Sequence, residues 1–130
     1  MIADTSFLID LMRRKETALE KLKTIERNNE SQYSTSPSVF ELAVGIYLSK
    51  IPEKEKEKVN SVLQRFSVLN LGLGEAVIGG SILGELYSRG MPIDPIDAQI
   101  AGIARCIKQP IVTRDTEHFE RIPNLKVETY

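Results

Sequence analysis

The chain contains one cysteine, Cys106, and one histidine, His118. A single thiol cannot close an internal disulfide, which suits a reducing cytoplasm. No apolar run exceeds a few residues, so a transmembrane helix and a membrane partner are excluded. No basic segment followed by an apolar one opens the sequence, so no signal peptide is expected. Neither sign of charge dominates: 17 basic against 18 acidic side chains leave a net charge of −1, and the whole molecule is no evident polyanion binder. There is no repeat, no low-complexity tract and no linker long enough to divide domains. Residues 1–130 are therefore expected to form one domain with a core of its own.

What the sequence does contain is a regular alternation of strand and helix signals. Met1-Ile2-Ala3 is a short apolar start that breaks at Asp4-Thr5-Ser6, and a mostly apolar turn follows from Phe7 to Met12. Leu19, Leu22 and Ile25 recur at helical spacing over residues 16–27. Tyr33 to Ser36 reads as extended, and Val39 to Leu48 as an apolar helix stopped by Ile51-Pro52. The sign-alternating run 53–58 leads into Val59, Val62, Leu63 and Phe66 and predicts the solvated face of an amphipathic helix. Val68 to Leu73 predicts a strand, and 75–89 a helix closed by Gly90. A helix over 96–107, a buried strand at 111–113 and an edge strand at 126–128 complete the pattern. Helices between short β-rich runs predict an α/β fold: three layers around a central, mainly parallel sheet. In such sheets reactive groups collect beyond the C-terminal ends of the strands.

Four carboxylates stand at those positions. Asp4 follows the first apolar strand, and Asp115 follows Ile111-Val112-Thr113 through Arg114. Glu41 and Asp97 lie in the first turns of two apolar helices. Taken alone, Glu41 and Asp97 read as helix-start residues. Ser38 to Glu41 has the spacing of a capping box, and Asp94-Pro95-Ile96-Asp97 supplies an N-cap, a proline at the first helical position and an acid suited to the dipole. The faces argue otherwise. Asp97 shares its face with Ile100, Ala101 and Ala104, and Glu41 with Val44, Gly45 and Leu48. Inward carboxylates need a proton, a cationic partner or a metal, and neither helix face carries Lys or Arg. Clustered acids without internal cations suit Mg²⁺ or Mn²⁺. Such ions can generate hydroxide and stabilise the transition state of a phosphodiester. Thr5, Ser6 and Thr113 beside the acids can orient carboxylates or waters, or can simply bond their own backbone.

The segment Asp4-Thr5-Ser6-Phe7-Leu8-Ile9-Asp10 resembles the opening of PIN-domain nucleases, especially VapC-type toxins. The resemblance continues through Phe40 to Gly45 and Pro92 to Ala101, and closes with Ile111 to Phe119. It covers essentially the whole chain; the four blocks together are fairly specific, each one alone weak. It implies an α/β/α endoribonuclease whose metal-binding acids fall on Asp4, Glu41, Asp97 and Asp115, with Thr113 as the hydroxyl beside the last. It further implies the toxin of a toxin–antitoxin pair: a homodimer, neutralised by a small VapB-like antitoxin, that cleaves RNA with a metal-activated water. Asp94 departs from the usual pattern and is either an N-cap or a fifth acid at the rim. Asp10 is expected to face solvent or cap locally.

Other residues have plain readings. His118 reads as a surface histidine and Cys106 as core filler. Gly79, Gly80 and Gly84 cost their helix about 1 kcal/mol each relative to Ala, which packing on the sheet or on a twin subunit would explain. Arg13, Arg14 and Lys15 read as a solvated helix end or as a contact for RNA phosphate. An aspartyl-phosphate phosphatase would want a second acid where Ser6 stands, and a receiver domain lacks its paired acids and lysine. A non-catalytic PIN-fold binding module, or a PIN RNA-processing nuclease that is no toxin, stands as the alternative. If the four acids hold divalent ions, 14 acidic side chains remain against the 17 basic ones, and near-zero net charge becomes compatible with RNA binding.

Overall fold

Ile2–Ala3 (β1) and Ile111–Val112 (β4) are wholly apolar, and the computed structural model, which describes residues 1–130, sets them side by side in the middle of a sheet. Tyr33–Thr35 (β2) and Ser67–Leu69 (β3) extend it on one side and Val127–Glu128 (β5) on the other, in the order β3-β2-β1-β4-β5. Every pairing is parallel. Parallel neighbours need crossovers, and helices supply them. Thr5–Met12 (α1) and Glu16–Arg27 (α2) join β1 to β2; Ser36–Leu48 (α3) and Pro52–Leu63 (α4) join β2 to β3. Leu73–Ser88 (α5) and Pro95–Ile107 (α6) carry the chain back past β1 to β4, and Thr116–Glu120 (α7) leads to β5.

The strand period of two divides the core. Met1, Ala3 and Val112 pack with Phe7, Leu8, Leu11, Leu22 and Ile25 under α1 and α2. Ile2 and Ile111 pack with Ile82, Ile100, Ile103 and Phe119 under α5, α6 and α7. The result is the expected three-layer α/β/α arrangement. The winding reverses between β1 and β4, so the crevice beyond their C-terminal ends is the topological switch point.

Several local expectations change. The segment after Asp4 is a full helix, α1, because Asp4 caps it: its side chain accepts from the Ser6 N–H. Val44, Gly45 and Leu48 do not face the core; α3 leaves Phe40, Val44, Tyr47 and Leu48 exposed, because its inward face runs through Pro37, Ser38 and Leu42, with Ile46 partly buried. Cys106 is exposed rather than core, since the buried face of α6 runs through Ile100, Ala101, Ile103 and Ala104. Gly79 packs neither on the sheet nor on a twin: a Cβ there would lie 2.8 Å from the Ala98 carbonyl oxygen of α6. Gly80 and Gly84 meet nothing within 4 Å. Gly90, at φ +67°, ends α5 in the left-handed region that glycine tolerates.

Candidate active site

Asp4 leaves β1 at the switch point with its carboxyl nearly buried. One oxygen, Oδ2, accepts from the Ser6 hydroxyl at 2.7 Å, the Thr113 hydroxyl at 2.8 Å and the Ser6 N–H at 3.2 Å. These bonds leave Oδ1 free to act as a ligand. The same hydroxyls hold the loop after β4: the Arg114 N–H donates to Ser6 Oγ at 3.1 Å and the Asp115 N–H to Thr113 Oγ1 at 2.9 Å. Ser6 and Thr113 thus join residue 4 to a segment more than a hundred residues away.

Glu41 stands at the side of Asp4 and is oriented by Thr5, whose hydroxyl donates to Oε1 at 2.6 Å. It is no capping-box residue. Thr35 caps α3, accepting from the Ser38 N–H, and Glu41 is turned instead toward the carboxylates. Burial chiefly, then the negative charges of Asp4 and Asp94, push the Glu41 carboxyl above its usual range, against the pull of the Thr5 bond.

Asp97 comes from the first turn of α6, which Asp94 caps by accepting from the Ile96 N–H at 2.8 Å. Burial and then the charge of Asp4 raise the Asp97 carboxyl to about 6, with Asp94 adding to the rise and His118 opposing it. His118 Nδ1 lies 3.1 Å from Asp97 Oδ2, so this histidine belongs to the rim of the site rather than to open surface. Asp115 differs from the other three: its side chain is 57% exposed, with Arg114 Nε 3.9 Å from Oδ1.

The charges of Asp4 and Asp94 therefore bear on both Glu41 and Asp97, and no Lys or Arg pairs with Asp4, Glu41 or Asp97. No three acidic, histidine or cysteine side chains yet converge closely enough to share an ion. The donor chemistry nevertheless fits a hard divalent cation: carboxylates only, one with a free oxygen, two destabilised as anions, and Asp115 at the edge with room to turn. The basic run divides. Lys15 pairs with Asp10 at 3.3 Å, Arg13 borders the same cleft as Glu41, Gly45 and Lys58, and Arg14 borders a separate cleft between α1, α2 and α4.

The sequence profile of the PIN domain family matches residues 1–125. The chain belongs to the PIN domain family. It is 30% identical over 127 residues to the tRNA(fMet)-specific endonuclease VapC of Shigella flexneri, covering 98% of this chain and 95% of that protein. It is 33% identical over 133 residues to the ribonuclease VapC of Rickettsia bellii, covering 99% and 95%. Among solved structures, DNA-bound VapBC from Salmonella typhimurium superposes with a TM-score of 0.88 at 29% identity, covering 98% of this chain and 96% of the matched one.

In this PIN domain two side chains at the site, Arg114 and Tyr130, carry no signal in the sequence, and two others stand elsewhere than expected. His118 lies at the rim on Asp97 rather than on open surface. Asp10, expected in solvent, is buried; Arg114 donates to it at 2.8 Å and Tyr130 at 2.8 Å. One signal for Asp10 was present: it is the only charge in the apolar run Phe7 to Met12. An acid inside such a run is either misplaced or paired, and here it is paired.

Proposed function

We propose that the chain is a metal-dependent endoribonuclease of the VapC type, the toxin of a toxin–antitoxin pair. The observation that carries the reading is the gathering of Glu41 and Asp97 beside the charge of Asp4 at the switch point with no Lys or Arg among them. Asp4, Glu41, Asp97 and Asp115 would hold Mg²⁺ or Mn²⁺. A bound divalent cation supplies positive charge to the scissile phosphate and lowers the pKa of a water. The chain's own residues do the rest. Ser6 and Thr113 fix the Asp4 carboxylate, Thr5 fixes Glu41, and His118 restrains Asp97. Restrained ligands lose little freedom when they bind, which favours affinity and a defined geometry.

The RNA substrate class follows from the names of the relatives, and a small VapB-like antitoxin from the complexes among the structural neighbours. The exposed apolar residues of α3 and of α5, including Tyr47, Leu48, Leu73 and Val77, support a homodimer. No helix is long and apolar enough to cross a membrane, and the exposed free thiol of Cys106 supports a reducing cytoplasm.

The test is RNA cleavage with and without chelator. Cleavage is expected to stop on chelation and to return with added Mn²⁺, and mapping of the cut sites then identifies the target. Mn²⁺ is expected to raise the melting temperature by mass action. A protein that neither binds Mn²⁺ nor gains stability from it would be the binding module instead.

The split basic run makes a second, narrower prediction. Arg13→Gln is expected to weaken RNA binding and to flatten the plot of log affinity against log salt by about 0.7, one phosphate contact on a single strand. Arg14→Gln, on the other cleft, is expected to leave the slope unchanged. Identical slopes for both variants and the parent would remove Arg13 from the RNA path.

A further inference from the structure

Asp10 takes no part in the acid cluster, yet its carboxylate accepts as many hydrogen bonds as that of Asp4. It is 2% exposed, and Oδ1 accepts from Arg114 Nη1 at 2.8 Å. Oδ2 accepts from the Tyr130 hydroxyl at 2.8 Å and from Lys15 Nζ at 3.3 Å. The Tyr130 ring packs on Phe7 with centroids 4.9 Å apart, and Lys15 lies 5.9 Å over the same ring. Burial alone would push the Asp10 carboxyl up, but Tyr130, Arg114 and Lys15 together hold it below its usual value. It is therefore a buried, permanent negative charge.

Its main partner occupies a sensitive place. Arg114 separates Thr113 from Asp115, and its backbone N–H bonds Ser6. Its guanidinium stands between two carboxylates: it hydrogen-bonds Asp10 at 2.8 Å and makes only a long ion pair with Asp115, Nε lying 3.9 Å from Oδ1. The Arg114 side chain is 42% exposed and so has room to move between them. A guanidinium bonded to Asp115 would occupy that carboxylate and place a positive charge at the edge of the acid cluster. Both effects oppose a divalent cation.

We propose that Asp10 is a positioning residue that holds the Arg114 guanidinium away from the acid cluster and so keeps Asp115 free for the metal. The proposal rests on the reading of Asp115 as a metal ligand. It distinguishes Asp10 from a merely structural ion pair, because the damage done by losing Asp10 should require Arg114.

The experiment is a Mn²⁺ titration by calorimetry, without RNA, on the wild type, Asp10→Asn, Arg114→Gln and the double variant. Asp10→Asn is expected to weaken Mn²⁺ binding about tenfold, or 1.4 kcal/mol. The double variant is expected to recover to within about threefold of wild type. A double variant as weak as Asp10→Asn alone, or an Asp10→Asn protein that binds Mn²⁺ like wild type, overturns the proposal. If Asp10→Asn does not fold, crystals of the wild type soaked in Mn²⁺ decide. Arg114 still bonded to Asp10, with Asp115 turned to the ion, supports the proposal, and Arg114 released from Asp10 overturns it. A wild type that binds no Mn²⁺ overturns the metal reading itself. The anchor is then read in crystals of Asp10→Asn: Arg114 bonded to Asp115 supports it, whereas Arg114 at residue 10 or in solvent overturns it.

Discussion

Asp97→Asn is expected to abolish metal-dependent RNA cleavage, by about a thousandfold or more in kcat/KM, while making the metal-free protein more stable. The two effects share one cause. Asp97 is held among like charges with its carboxyl raised to about 6, so at pH 7.5 the folded, metal-free protein carries an anion it disfavours. A divalent ion turns that repulsion into attraction, and removing the charge removes a ligand. A thousandfold loss is about 4 kcal/mol of transition-state stabilisation, within the range of a lost metal ligand.

The stability effect has a definite sign. A carboxylate whose pKa is higher folded than unfolded destabilises the fold above its folded value. Acidification removes that penalty between pH 6 and the ordinary value of 3.8. Metal-free wild type is thus expected to gain stability from pH 7.5 to pH 5 through Asp97 and, in the same direction, Glu41. Asp97→Asn should be about 2 kcal/mol more stable than wild type at pH 7.5, several degrees in melting temperature, with the gap reduced to about half at pH 5. Saturating Mn²⁺ should reverse the order by stabilising only the wild type. Thermal melts at the two pH values, with and without Mn²⁺, check all four expectations. Full nuclease activity in the variant would refute the assignment of Asp97, and a metal-free melt lower at pH 5 than at pH 7.5 would refute the charge argument.

The second large effect lies behind the site. α5 and α6 approach so closely that a Cβ on Gly102 would strike the Glu75 carbonyl oxygen and lie 2.8 Å from the Gly79 nitrogen. Both obstacles are backbone and cannot rotate away. Gly102→Ala must separate the helices and is expected to cost about 3 kcal/mol, measured by urea denaturation. Because α6 also carries Asp97, the same variant should bind Mn²⁺ more weakly. Gly80→Ala and Gly84→Ala are the controls. Their Cβ atoms meet nothing within 4 Å, so each should gain up to about 1 kcal/mol of helical stability in the free chain. A Gly102→Ala protein as stable as these two would show that the helix pair has slack the structure does not contain.

The acids of the candidate site are legible because each sits at a position where strand or helix periodicity breaks. Asp4 and Asp115 follow apolar strands, and Asp97 heads the stripe Ile100, Ala101 and Ala104, all of which are buried. Glu41 was legible by position but not by role. A capping-box spacing is a local signal, and the hydroxyl that binds Glu41 comes from Thr5, 36 residues earlier. Asp10 differs from its local reading for the same reason: its partners Arg114 and Tyr130 are 104 and 120 residues away. On α3, apolar residues that look like core remain exposed, because periodicity marks a face without saying what covers it.

The sequence by itself therefore determined the α/β alternation, the strand-end acids and the cap of α6, since those depend on dihedral preferences and neighbours within a few residues. The tertiary structure decided which ends meet. Only the parallel pairing of β1 with β4 brings Asp4 under the Thr113 hydroxyl and Arg114 onto Asp10. Such contacts are set by the order of strands in the sheet, which depends on how two separate hydrophobic layers close over it and leaves no periodic trace in the chain.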